Sequence, residues 1–264
     1  MSKRSEIRAR RKSQRMRKQV VVISIIVVGA LFVAAALILP TLRPAGIVAS
    51  PTPVVATPRT ITVPVDMTTM GNPDAAITID IWIDFQCPAC ARFSELTETQ
   101  IIQNYVETGI AYIVFHHFPF IDGSDSPEYG NDRLYYISSQ YGPGESDQAA
   151  NASMCAAEQG HFWTYHDTLF LNWNGENQGT FTNELLLTLA ESIGLDMDAF
   201  RSCFEENRYE EQIQEDFVLG TDWGVSSTPN VFVNGVRVTN SQGEQYVPVY
   251  EDVAAAIETA RSGE

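Results

Sequence analysis

The chain has 264 residues, a formal net charge of −16 at pH 7 and four cysteines. That length suffices for one sizeable domain with accessory segments. From residue 60 onward 32 acidic residues face six basic ones, which excludes nucleic-acid binding through a basic patch. The positive charge is concentrated in residues 1–18, with nine Lys/Arg and one Glu. In residues 20–39 only Ser24 and Gly29 are not strongly apolar, enough to span a hydrocarbon core of about 30 Å. The basic block should stay in the cytoplasm, so the remainder is expected outside. A cleaved signal peptide would have a shorter apolar core, and the small-residue site Val48-Ala49-Ser50 is followed by Pro51. Residues 19–39 are therefore expected to be an uncleaved signal anchor. The acidic domain beyond should be repelled by anionic head groups. Residues 40–64 hold six prolines and read as an extended spacer. Residues 65–264 form the expected domain.

Residues 77–85, ITIDIWIDF, read as a strand buried on both faces along part of its length. Cys87-Pro88-Ala89-Cys90 follows at once and opens a helix predicted to about residue 107 and closed by Gly109. A helix N-terminus offers unpaired N–H groups and partial positive charge, which favour a thiolate. Pro88 suits the first helical position. Cys87 would be the N-cap and exposed nucleophile, and Cys90, one turn in, the buried resolving thiol. A zinc site would need a second ligand pair, whereas Cys155 and Cys203 are single and far apart. A purely structural bridge across so short a loop would add little stability. Residues 110–118 read as a second strand, giving a right-handed βαβ unit.

Residues 121–144 are polar and Gly/Pro-punctuated, and residues 145–222 read as a block of helices, with Thr182 and Asp196 as caps. In an oxidising compartment Cys155 and Cys203 are expected to bridge; the other reading is two reduced buried thiols. Val231-Phe232-Val233 and Val236-Arg237-Val238 flank Asn234-Gly235, a hairpin signal, and residues 249–261 form a last amphipathic helix. His116 and His117 should face opposite sides of their strand, and all four histidines are expected to pack or hydrogen-bond, with no metal. Asn151-Ala152-Ser153 matches a glycosylation sequon inside a predicted helix.

This order, with the cysteine pair after the first strand and Thr228-Pro229 before the hairpin, resembles the thioredoxin fold, an α/β architecture. The helical insertion at about 121–222 narrows the resemblance to membrane-anchored thiol-disulfide oxidoreductases of the DsbA type. Gly71-Asn72-Pro73-Asp74-Ala75, Asp84-Phe85-Gln86-Cys87-Pro88-Ala89-Cys90, Cys155-Ala156-Ala157-Glu158-Gln159-Gly160, Phe162-Trp163-Thr164-Tyr165-His166-Asp167 and Ser227-Thr228-Pro229 carry it. It implies a cis Thr228–Pro229 bond beside the thiols, with the Thr228 backbone available to an extended substrate segment. Two positions depart from the pattern. Ile81 stands where many relatives carry an acid, so Asp84 either assists proton transfer in its place or stabilises the helix N-terminus. Ala89 replaces the histidine of strongly oxidising members and cannot stabilise the Cys87 thiolate, which predicts a lower potential.

The resemblance implies a dithiol oxidase, tethered to the cell membrane, that passes the Cys87–Cys90 disulfide to exported client proteins and is reoxidised by a quinone-linked membrane partner. No cofactor is expected. A reductase or isomerase using the same residues is the nearest alternative, and a non-catalytic chaperone-like binding module the next.

Overall fold

The computed structural model describes residues 53–123, 144–240 and 247–263. The basic segment, the expected anchor and the first half of the expected spacer lie outside them. Among the described residues no helix is long and apolar enough to cross a membrane.

A six-stranded mixed sheet runs in the order β1 (Val65–Asp66), β2 (Thr69–Met70), β4 (Ala111–His117), β3 (Ile77–Ile83), β5 (Asn230–Val233), β6 (Val236–Arg237). β3 and β4 are parallel and pair Ile77 with Ala111 through to Ile83 with His117. β5 joins the other side of β3 antiparallel, pairing Ile79 with Val233 and Ile81 with Val231. A central strand must bury both faces, and the apolar run of β3 suits that: Ile79, Ile81 and Trp82 are fully buried. The β5–β6 turn is Asn234-Gly235, both at positive φ (48° and 77°), as a two-residue hairpin requires. The Asn234 side chain also accepts from Thr78 N at 2.7 Å, tying the hairpin to β3.

The crossover between β3 and β4 is helix α1, residues 88–106. It starts as Pro88–Phe93, continues through Thr99–Ile101, and contains wider turns at Ser94–Glu98 and Ile102–Val106. Among the described residues, five further α-helices lie between β4 and β5: α2 (Glu145–Ala157), α3 (Phe162–Leu171), α4 (Asn183–Ser192), α5 (Met197–Glu205) and α6 (Glu210–Asp222). Thr182 caps α4 through Leu185 N, and Asp196 caps α5 through Asp198 N and Ala199 N. Helix α7 (Tyr250–Ser262) closes the chain against the sheet. A disulfide joins Cys155 on α2 to Cys203 on α5, closing a loop of 48 residues. Gly220 on α6 lies so close to β3 that a Cβ there would meet Trp82 Nε1 at 2.6 Å.

Residues 53–64, read from sequence as part of a spacer, are docked on the domain. Val54 exchanges backbone hydrogen bonds with the Asn172 amide, and Ala56 N donates to Thr168 Oγ1. Arg59 reaches inward to Asp167 and Glu98. The strap is held by the Arg59 cation, by backbone groups and by Ala56, Ile61 and Val63, which pack on the core.

Candidate active site

Cys87 stands where β3 turns into α1. Its backbone is extended (φ −76°, ψ 119°), Pro88 follows at the first helical position, and Cys90 N and Ala91 N donate to the Cys87 carbonyl at 3.0 and 3.1 Å. Cys87 is thus the N-cap, and helical spacing sets Cys90 one turn behind it. Both are free thiols. Cys87 is only 6% exposed and Cys90 is fully buried. The expectation of an exposed nucleophile is corrected here. A loop carrying the cis Thr228–Pro229 bond lies over the cysteine, and the Cys87 thiol donates to the Thr228 carbonyl at 3.3 Å. The Ala89 side chain contributes a methyl group and no donor.

The two sulfurs are electrostatically unequal. The Cys90 thiol, hydrogen-bonding to Cys87, brings the Cys87 thiol down to about 6 against the opposition of burial. The Cys90 and Ala89 backbone N–H groups act in the same direction. Burial, and its role as donor to Cys87, push Cys90 well above the ordinary thiol range. At neutral pH the reduced pair therefore carries one thiolate, on Cys87.

Asp84 is fully buried behind this turn. Its Oδ1 accepts from Gln86 N at 2.8 Å and Ser146 Oγ at 2.7 Å, and its Oδ2 accepts from Ile121 N at 2.9 Å. Burial, reinforced by the charge of Asp122, raises it to about 7 despite those bonds. The Asp84 carboxylate is committed to these three donors; Cys87 N at the start of α1 bonds the Asp84 backbone carbonyl instead, at 3.1 Å. Ile81 is in the core, registered between Phe115 and Val231.

The sequence reading passed over Gln86. Its amide Nε2 donates to Asp122 Oδ1 at 2.7 Å and Ser146 Oγ at 2.9 Å, and its Oε1 accepts from Asn177 N at 2.6 Å. Its carbonyl accepts from Trp173 Nε1 at 2.6 Å. The partners lie 36 to 91 residues away in sequence, so no local pattern signals them. Gly144 is required beside Asp122, because a Cβ there would collide with the carboxylate.

Behind α1, Glu98, His166 and Asp167 bring their ligand-type atoms within 4.8 Å of one another. Arg59 of the strap fills the centre, 2.7 Å from Glu98 Oε1 and 2.6 Å from Asp167 Oδ1, and supplies the positive charge itself. A groove of about 720 Å³ opens between the strap, α1 and α3; Ala91, Glu95, Ile102 and Phe170 line it, and the two cysteines and Pro229 do not. The Cys87 sulfur thus lies at a turn covered by the Thr228–Pro229 loop, apart from this groove.

Residues 78–252 match the family of the DSBA-like thioredoxin domain. The chain is 24% identical to the probable disulfide bond formation protein D of Bacillus anthracis, over 63% of this chain and 69% of that protein. It is 31% identical to Na(+)/H(+) antiporter NhaA 1 of Salinispora arenicola, over 73% of this chain but only 24% of that protein. Among solved structures, BdbD from Bacillus subtilis in its oxidised form superposes with a TM-score of 0.58 at 21% identity, covering 75% of this chain and 94% of that one.

Proposed function

Because this chain belongs to the DsbA-like thioredoxin family and is a thiol-disulfide oxidoreductase, we propose that it is a dithiol oxidase that introduces disulfides into exported proteins. The observation that carries the direction is the inequality of the two sulfurs. In the oxidised enzyme a client thiolate attacks Cys87 Sγ, the Cys87–Cys90 bond breaks, and Cys90 leaves and takes up a proton. A second client thiolate then attacks the client sulfur of the mixed disulfide and expels Cys87. Two electrons pass to the enzyme, and the client gains the disulfide. The last step is fast when the leaving sulfur is a stable thiolate, as Cys87 is at about 6. Running backwards, the reduced enzyme would have to give up its Cys87 thiolate, whose stability at about 6 opposes that direction.

Magnitudes support the same direction. A nucleophile near 6 lies between thioredoxin at about 7 and DsbA at about 3.5, which predicts a potential between about −270 and −120 mV. The absence of a side-chain donor at Ala89 holds it below the top of that range. Structural disulfides of secreted proteins form below about −300 mV, so donation to a client is downhill anywhere in that interval. The bridged Cys155–Cys203 pair suits an oxidising compartment. The basic residues 1–18 and the apolar residues 20–39 support a membrane tether with the domain outside, where a quinone-linked membrane partner would reoxidise the pair.

The test is the equilibrium potential of the Cys87–Cys90 pair in glutathione buffers. A value above about −230 mV but short of about −120 mV is expected. A value at about −270 mV would overturn the oxidase direction and assign a reductase.

A further inference from the structure

We propose that Gln86 is a positioning residue for disulfide exchange: its side-chain amide locks the nucleophile-bearing turn to the helical insertion and thereby sets the reactivity of Cys87. The proposal rests on the preceding reading only in taking Cys87 as the attacked sulfur.

Gln86 is fully buried, and each of its polar groups has a partner. Its orientation is forced by chemistry. The Asp122 carboxylate can only accept, so it must face the amide NH₂; the Asn177 N–H can only donate, so it must face the amide oxygen. The backbone on either side of the Gln86 Cα is pinned as well, N–H to Asp84 Oδ1 and carbonyl to Trp173 Nε1. The next residue is the nucleophile, whose sulfur must sit against the Thr228 carbonyl and the first N–H groups of α1. The Ala89 and Cys90 N–H donors favour the thiolate only while the turn holds Sγ in reach of them. The anchors come from four separate places: Asp84 just after β3, Asp122 at the start of the insertion, Ser146 at the start of α2, and Trp173 with Asn177 after α3. Gln86 is therefore the point at which the insertion is fastened to the reacting turn. An apolar side chain could fill the volume but would leave the Asn177 N–H and the Asp122 carboxylate short of a bond.

Gln86→Glu separates positioning from packing. It keeps the shape and the acceptor for Asn177 N, and it removes the donors to Asp122 and Ser146 and the longer one to Asn177 Oδ1 at 3.4 Å. Reduced full-length protein is titrated with iodoacetamide, and the rate at Cys87 is followed across pH, with the melting temperature and the glutathione equilibrium measured alongside. Above neutrality the introduced carboxylate repels Asp122. The midpoint of the Cys87 profile is expected to rise, and alkylation near pH 6 to slow by roughly three- to tenfold. As pH falls, protonation of the introduced carboxylate restores a donor, and the ratio of variant to wild-type rate should climb back toward one. The glutathione equilibrium should shift toward the disulfide form of the enzyme. A folded variant with an unchanged midpoint and a pH-independent rate ratio would overturn the proposal. If Gln86→Glu does not fold, Ser146→Ala is read in the same assay. It removes one acceptor from the Gln86 amide and one donor to Asp84, and an unchanged Cys87 profile there is equally fatal. A wild-type pair poised as a reductase would reverse the direction of electron flow and leave this effect intact.

Discussion

His116 and His117 are consecutive on β4, and the two faces of the sheet treat them in opposite ways. His116 lies between two acids, with Nε2 3.0 Å from Asp80 Oδ1 and Nδ1 3.1 Å from Asp216 Oδ1, and it stacks on Trp82 at 4.4 Å. Burial alone would lower it, but Asp216 and Asp80 raise it to about 9, so it is a cation at neutral pH. His117 points into the aromatic core among Phe85, Phe115 and Phe162. Its ring nitrogens have no hydrogen-bond partner among the described residues. Burial lowers it to about 4, aided by His116 and His166 and opposed by Asp216, so it is neutral. The two sites are comparably buried; the difference is whether carboxylates face the ring. Burial penalises a charge only until a partner stands in for water.

The comparison breaks most sharply at the strap, where a charge is paired on the apolar face too. Arg59 neutralises Glu98, which is fully buried, and Asp167, which His166 and Arg59 hold at about 2 despite its burial. Arg59→Met would leave Glu98 and Asp167 with His166 as their remaining partner, and removing one partner of a buried pair costs about 3–5 kcal/mol. Urea denaturation at pH 7 should show a loss of that size, with partial recovery in the Arg59→Met/Glu98→Gln double variant. A loss below about 1 kcal/mol would mean that the strap contributes nothing and that water reaches Glu98.

The strap also marks how far the sequence could be read. Local signals carried the strand–Cys87–helix junction, the Asn234-Gly235 hairpin, the helical block and the caps at Thr182 and Asp196, because each depends on neighbours within a few residues. The cis Thr228–Pro229 bond came through family resemblance, since a proline alone does not specify it. Residues 53–64 read as spacer because their prolines and small residues show no periodic apolar face. What docks them is a set of long-range contacts, with Arg59 108 residues from its partner Asp167 and Val54 118 residues from Asn172. Gln86, Asp122, Ser146 and Trp173 were equally invisible, since long-range hydrogen bonds leave no periodicity. The exposure of Cys87 was misjudged for the same reason: the loop covering it lies 141 residues away.

The acid-flanked side of the comparison is sharpened by pH. The folded pKa of His116 is raised from the ordinary 6.5 to about 9. Its contribution is complete below about pH 6.5 and is lost as pH rises through 9, up to roughly 3 kcal/mol. His116→Gln should remove that contribution at pH 6.5 and flatten the alkaline limb between there and pH 9. Urea midpoints of the two proteins at both pH values check it; parallel alkaline limbs would mean that Asp80 and Asp216 do not share a proton with this ring.

The apolar side gives the smallest effect at neutral pH and the opposite sign. His117 is lowered from 6.5 to about 4, so its contribution is present above about pH 6.5 and is lost as pH falls through 4. The wild-type curve alone hides this. Asp84 is raised from 3.8 to about 7 and loses stability as pH rises through the same interval, offsetting the histidine. The acid limb of Asp167 begins only below about 3.8 and runs toward 2, outside the window. His117→Leu removes one of the two opposed groups and leaves Asp84 in place. A ring with no bonded nitrogen gives up little when replaced by an apolar side chain of similar volume, so the change at pH 7.5 should stay under about 1.5 kcal/mol. Near pH 4.5 the variant should be the more stable protein, because wild type must resist placing a proton on a ring enclosed by Phe85, Phe115 and Phe162. A difference between the two proteins that does not vary with pH would mean that His117 is solvated in the fold, and the contrast with His116 would then be one of packing and not of charge.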